Sequence, residues 1–384
     1  MKILFDFINL QQFTGGAATY TYKVLFALLD RETPNMEVFG LFDSKNAFLK
    51  TYDINEVCKN KNIRLVDINL YVNIAQIIKL EGIDSFFISC GQYYHKYNLA
   101  GIDCLSLIVI HDLYDFELND NRFLDKILDS NLTTIKHSFK LWLYNILRIR
   151  KNYAADYSNI TSFFSQPNVN TVTVSEYTKH ALMYYLPQVK KDFSVLYSPE
   201  KVVLRKNKIE NEILKELIEA KKKYYLLVSA NRPLKNARFV IDTFKRITDD
   251  ANDTFLLTVN YPCKLYKNHI NCSLLSESDL EYAYEHAYSL IFASLEEGFG
   301  YPPLESIKYG TPVICSNVCS MPDIYENSIL YFSPFFKNDL YYKVKVLEKK
   351  RKEYNKKALL QYEKIHNRQE KDLNTLIDMI VLKK

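Results

Sequence analysis

A chain of 384 residues is more than one hydrophobic core of ordinary size organises, and it points to two domains. With 48% hydrophobic and 25% charged residues it is a globular sequence, not a disordered one. A net charge of +5 is too slight to argue for a nucleic-acid partner. The seven cysteines are scattered, with no Cys-x-x-Cys pair, and read as reduced cytoplasmic thiols without a zinc ligand set.

Residues 2–8 read as a first strand. They do not read as a leader peptide, because Asp6 breaks the apolar run and no small-residue cleavage site follows. Nowhere does an apolar stretch approach the ~20 residues that span a bilayer. After the strand come Gly15 and Gly16, then a predicted helix over 19–29. Paired glycines there let backbone N–H groups face an anionic ligand at the helix start. The spacing is not Gly-x-Gly-x-x-Gly, and a tight strand–helix turn explains the pair as well. Strands are expected over 37–42, 63–68, 84–89 and 105–110. This alternation predicts a doubly wound, parallel α/β sheet.

The strand over 105–110 runs into His111-Asp112-Leu113, at the edge where such sheets bind ligands. A histidine there can bond a hydroxyl, and Asp112 can either orient its ring or cap a helix. Residues 112–166 are less regular and more helical. Within 136–151, Phe139, Trp142, Leu143 and Ile146 share a helical face ringed by Lys136, Lys140, Arg148, Arg150 and Lys151. Such a helix suits an anionic membrane surface, or simply packs on its own domain. A strand over 170–174 leads to Ser175, a suitable cap for a helix over 176–185, and then to a strand over 193–197.

A charged segment, 200–223, with helical composition over 209–220, separates the two halves. The boundary is placed near 198–201. The second half restarts with a strand over 224–229, followed by Arg232 and Lys235. A guanidinium fork and a compact ammonium suit phosphate oxygens. Strands over 255–260 and 288–295, a helix over 279–287 and a strand over 312–315 continue the alternation. Leu373, Leu376, Ile377 and Ile380 keep helical spacing.

The most informative stretch is Glu297-Gly298-Phe299-Gly300-Tyr301-Pro302-Pro303-Leu304-Glu305. Its glycines permit positive φ and close backbone approach. Its prolines suit the first turn of a helix, expected over 302–309. Glu297 then lies in the loop and Glu305 on the first turns of the helix. The arrangement suits a phosphorylated ligand rich in hydroxyls.

Ser294 through Glu305, followed by Gly310-Thr311-Pro312-Val313, closely resembles the nucleotide-sugar signature of retaining GT-B glycosyltransferases. More narrowly, the chain is similar to glycosyltransferase family 4 of the bacterial group 1 type, including surface-polysaccharide mannosyltransferases. Ala293, where a proline is common, and Asp323, where a glutamate is common, depart from the pattern without removing the paired acids. The resemblance implies two Rossmann-like domains facing across a cleft: residues 1–199 on the acceptor side and 200–360 on the nucleotide-sugar side. A helix over 361–384 would cross back to the first.

It also implies transfer of a hexose-type sugar, with retention, from a nucleoside-diphosphate sugar to a glycan or lipid-linked glycan hydroxyl. The place would be the cytoplasm, at the inner face of the cell membrane. Arg232 and Lys235 would hold the diphosphate and Glu305 the ribose. Glu297 would bind the sugar's hydroxyls together with the N–H groups of Phe299, Gly300 and Tyr301. Closure would bring Gly15, Gly16 and His111 onto the donor; Glu297 and His111 would be the catalytic pair. No cofactor is expected beyond the donor, and no metal, since a metal-dependent GT-A enzyme would show Asp-x-Asp at a strand end. A non-catalytic sugar-nucleotide-binding protein and a GT-B phosphorylase or epimerase are the alternatives. The paired glutamates disfavour the phosphorylase and epimerase, and the intact set of Glu297, Glu305, Arg232, Lys235 and His111 disfavours the non-catalytic binder.

Overall fold

The computed structural model describes residues 1–12, 15–31, 33–48, 53–114, 116–117, 158–201, 203–250, 253–261 and 264–381. The amphipathic segment 136–151 lies outside the described residues, as do Phe13 and Thr14 of the first loop. The chain divides into two compact units. Met1–Phe116, Asn152–Lys201 and Asn367–Lys384 form the first, and Val202–His366 is the body of the second.

Seven strands build the first sheet: β1 (Lys2–Asp6), β2 (Glu37–Phe42), β3 (Arg64–Asp67), β4 (Ser85–Ile88), β5 (Leu105–Ile110), β6 (Val169–Thr173) and β7 (Ser194–Val195). Their order is β3-β2-β1-β4-β5-β6-β7, and every pairing is parallel. Strands covered on both faces need near-continuous apolar runs. Ile3, Leu4 and Phe5 of β1, Phe86, Phe87 and Ile88 of β4, and Leu107 to Ile110 of β5 supply them and are all buried. Six strands build the second sheet: β8 (Lys223–Leu227), β9 (Thr254–Val259), β10 (His269–Cys272), β11 (Ser289–Phe292), β12 (Val313–Ser316) and β13 (Leu330–Phe332). Their order is β10-β9-β8-β11-β12-β13, again all parallel.

Each order reverses once, between β1 and β4 in the first sheet and between β8 and β11 in the second. Beyond the strand ends at such a reversal, neighbouring loops diverge to opposite faces and leave a crevice. Helix starts are fixed locally. Asp53, Asn73, Ser175, Asn211 and Ser276 each accept an N–H bond of the first turn, a contribution of about 1 kcal/mol apiece.

Several boundaries differ from the sequence reading. The helix expected over 19–29 begins at Gly16, because Gly15 at φ 125° turns the chain straight into it, and a short helix, Asn9–Gln12, precedes it. The strand expected over 193–197 shrinks to Ser194–Val195 at the sheet's edge, where it has one neighbour. β11 ends at Phe292, and the helix after it runs Tyr301–Ile307. β10 and β13 are additions. The final helix, Lys337–Ile380, breaks its regular geometry at Lys350, and Leu376, Ile377 and Ile380 are buried.

Candidate functional site

In the second unit the site is built from the loops after β8 and β11, the two strands flanking the reversal. After β8, Ser229 adopts φ 53° and turns the chain into a short 3-10 turn, Pro233–Lys235, closed by Asn236 at φ 52°. The loop after β11 docks on it: the Leu295 N–H donates to the Leu234 carbonyl at 2.9 Å. Backbone pairing at that point sets Lys235 beside Glu297, and their side chains form an ion pair. The two side chains are only 13% and 15% exposed. The Lys235 ammonium also lies 4.8 Å from the centre of the Phe292 ring. Arg232, three residues earlier, is exposed.

The glutamate loop is pinned from below by helix Met321–Tyr325 and the residue before it. Ser320 Oγ donates to the Glu297 carbonyl at 2.9 Å, and the Tyr325 hydroxyl donates to the Gly300 carbonyl at 2.6 Å. Gly300, at φ 80°, caps helix Tyr301–Ile307 and takes a conformation a side chain would strain. Glu305 is the fifth residue of that helix. Burial and the neighbouring Glu305 carboxylate push the Tyr284 phenol well above its ordinary range. Cys315, fully buried on β12, is likewise pushed up by burial and by Glu297 nearby, so it is an inert thiol.

At the first unit's reversal, three adjacent strand ends present Asp6, Ser89 and His111. The Asp6 carboxylate, fully buried, accepts from Ser89 Oγ at 2.7 Å and from the N–H groups of Ser89, Ile8 and Asn9 at 3.3, 3.1 and 3.4 Å. Burial pushes its carboxyl above the ordinary range, against these hydrogen bonds. The Thr21 hydroxyl lies 2.8 Å from Ser89 Oγ, and Asn9 Nδ2 donates to Thr21 at 2.7 Å. His111 Nε2 bonds the Ser89 carbonyl at 2.9 Å, and the Tyr20 ring stands edge-on to the imidazole at 4.7 Å. Dense surroundings lower the imidazole to about 4, although part of its edge stays accessible. Thr178 holds the His111 carbonyl at 3.1 Å.

The structure therefore brings Lys235 and Glu297 together and leaves Arg232 exposed on the same loop. Glu305 sits against Tyr284. In the other unit, His111 follows the end of β5 and Gly15 and Gly16 open the helix Gly16–Leu29. Ser175 is a helix cap, accepting from the Thr178 N–H at 3.1 Å. Sequence reading missed Asp6, Asn9, Thr21 and Ser89, and also Ser320 and Tyr325. One signal was available: Asp6 is a charge inside an otherwise apolar strand. Among the described residues no cluster of His, Cys, Asp and Glu could hold a metal ion, and no helix is long and apolar enough to cross a membrane.

Residues 208–358, which hold Arg232, Lys235, Glu297 and Glu305, match the family model described as "Glycosyl transferases group 1". The chain is similar to the O-antigen chain mannosyltransferase RfbU of Salmonella typhimurium, 30% identical over 125 residues. That match takes in 30% of this chain and 35% of the relative, so the chain spans about a third of that curated protein's length. Among solved structures, sucrose-phosphate synthase from Thermosynechococcus elongatus superposes with a TM-score of 0.64 at 11% identity, covering 98% of this chain and 97% of that one. Anabaena HepE, in complex with UDP and glucose, gives 0.62 at 14% identity, covering 99% and 98%. Likeness at such low identity establishes architecture: the chain has the GT-B fold of two parallel-sheet α/β units, and residues 208–358, in its second unit, are the part that matches the group 1 glycosyltransferase model.

Proposed function

We propose that this chain is a retaining glycosyltransferase. It moves a hexose, mannose foremost, from a nucleoside diphosphate to a hydroxyl of a glycan or lipid-linked glycan in bacterial surface-polysaccharide synthesis. The observation that carries this reading is the meeting of Lys235 and Glu297 at the second sheet's reversal, inside the segment matched by the group 1 family. The likeness to RfbU supports mannose and a polysaccharide acceptor, and the UDP bound by HepE supports a nucleoside-diphosphate donor.

In this reading the donor's diphosphate takes Lys235 from Glu297 and recruits the exposed Arg232. Negative charge on the leaving phosphate grows as the glycosidic bond breaks, so both cations act more strongly in the transition state than in the ground state. Glu297, released from Lys235, turns to the sugar with the N–H groups of Phe299, Gly300 and Tyr301. Glu305 accepts from the ribose hydroxyls; each carboxylate offers two acceptor oxygens to a polyol. The leaving phosphate takes the acceptor's proton on the same face, so no protein nucleophile is required. In the first unit, Gly15, Gly16 and His111 are the residues read as meeting a substrate. The aromatic and basic pattern of 136–151 suits docking at an anionic membrane that carries a lipid-linked acceptor, beside the alternative that the segment packs on its own domain.

Arg and Lys supply the counter-charge that a metal supplies elsewhere, so transfer should persist in excess EDTA. The test pairs a thermal-shift screen of nucleoside-diphosphate sugars with a transfer assay run with and without chelator, since a ligand that binds the native state raises Tm. Transfer lost in EDTA and restored by Mg²⁺ or Mn²⁺ would overturn the metal-free mechanism. Donor binding with neither transfer nor slow hydrolysis would turn the reading to a sugar-nucleotide sensor.

A further inference from the structure

The buried polar chain at the first unit's reversal is unusual in its continuity. It runs from the Ala17 carbonyl, in the first turn of helix Gly16–Leu29, through Asn9, Thr21 and Ser89 to Asp6. The carbonyl of that same Ser89 then takes the His111 ring. All four linking side chains are buried. Hydrophobic residues would fill this space at lower cost, because every buried polar group must be matched. One edge of the network, the His111 ring, remains partly accessible at the strand ends.

The geometry decides which ring nitrogen carries the proton. A carbonyl oxygen accepts and never donates, so the 2.9 Å contact from His111 Nε2 to the Ser89 carbonyl requires the proton on Nε2. A neutral ring then keeps its lone pair on Nδ1. The direction of the Ser89 carbonyl is in turn set by Asp6, which grips both the N–H and the hydroxyl of Ser89.

We propose that Asp6 and Ser89 are positioning residues that hold His111 as the Nε2–H tautomer, so that it meets a substrate hydroxyl as a hydrogen-bond acceptor at Nδ1. The proposal rests on the reading of His111 as part of a transferase site. It adds that the ring orients a hydroxyl by receiving its proton in a hydrogen bond, and does not donate to it. Asp6→Asn tests the grip with little change of shape. Whichever way the amide turns, an NH₂ faces donors that a carboxylate oxygen had satisfied. Ser89→Ala removes the hydroxyl contact alone and serves if the first variant does not fold.

Long-range ¹H–¹⁵N correlation on ¹⁵N-histidine-labelled protein reads the tautomer directly, with His111 assigned by its loss in His111→Gln. The wild type should show a single Nε2–H form, and Asp6→Asn and Ser89→Ala should show mixed tautomers. In both variants kcat should fall by roughly tenfold to a hundredfold at unchanged donor KM, the scale of a misplaced group. Ser89→Thr, which keeps the hydroxyl, should restore both readouts. An Nδ1–H wild type overturns the proposal, as do variants with wild-type spectra and wild-type kcat. If the wild type turns over no nucleotide sugar, the enzymatic reading fails, while the spectra still decide the tautomer.

Discussion

Two sheets with the same reversal solve the problem of their loop crevices in opposite ways. The first closes its crevice with Asp6, Ser89, Thr21 and Asn9, a short-range mesh sealed from water. The second closes its crevice with one ion pair, Lys235 and Glu297, whose side chains remain partly accessible. A sealed mesh has no exchangeable partner, because each donor already meets an acceptor within the same unit. An ion pair at a crevice is different: an incoming anion competes for the cation on equal chemical terms. The first arrangement presets a geometry, and the second waits to be rearranged.

The largest effect should come from breaking the exchangeable pair. Lys235→Ala should cost about 2–4 kcal/mol of transition-state stabilisation, read as kcat/KM. It should also lower Tm, since Glu297 is left with little water and no counter-charge. Lys235→Ala combined with Glu297→Ala should recover much of the Tm and none of the turnover. Arg232→Ala, at an exposed position, should lose activity with Tm unchanged. A double variant that stays as unstable as the single one would show that the pair is structural, and the contrast between the two crevices would fail.

Among the described residues each unit holds a histidine whose surroundings favour the neutral ring, and acid should find both. His111 and His269 are held to about 4 by burial, against an ordinary value of 6.5. His269 gives its proton-bearing Nε2 to Thr258 at 2.9 Å and accepts from the Leu265 N–H at Nδ1. Well above pH 6.5 neither folded nor unfolded chain protonates these rings, and their contribution to stability is complete. Between 6.5 and 4 the unfolded chain binds protons that the native rings refuse, so stability falls with pH. The loss is on the order of 3 kcal/mol for each ring. Melting curves from pH 7.5 to 4.5 should show that slope, and His111→Gln should flatten it in part. An unchanged slope in that variant would place the acid sensitivity elsewhere.

A smaller effect belongs to Glu305. If it holds a ribose equally in ground and transition states, Glu305→Gln should raise donor KM several-fold, about 1 kcal/mol, with kcat nearly intact. Glu297→Gln should instead lower kcat. Steady-state kinetics on the two variants sharpens the division within the second crevice, and a reversed pattern would exchange the two roles.

What the sequence made legible was whatever is local. Apolar runs marked β1, β4, β5, β8 and β11, and the glycine–proline pattern after β11 marked the glutamate loop and its helix. Ser175 announced itself as a cap by its position. The pairing of Lys235 with Glu297 could not be seen, because the two lie 62 residues apart and meet only through strand order. Asp6 was visible but served only to exclude a leader peptide. Its true partner, Ser89, is supplied by the neighbouring strand end, 83 residues on. β10 escaped because His-Ile-Asn-Cys has no apolar periodicity; its buried His269 and half-buried Asn271 both bond Thr258 on the neighbouring β9. β13, at three residues, is too short to carry a pattern.

The first unit is assembled from pieces that are far apart in synthesis. Residues 367–381 are made only after the whole of the second unit, yet they belong to the first. Asp378 pairs with Arg31, Asp372 accepts from the Tyr197 N–H at 2.8 Å, and Gln369 donates to the Ser198 carbonyl. During translation the first sheet must therefore wait, with the surface for Leu376, Ile377 and Ile380 uncovered, while the body of the second unit, Val202–His366, is made. The unit begun first still needs these late residues, and a chain released before residue 367 would carry its defect in the sheet that was made first.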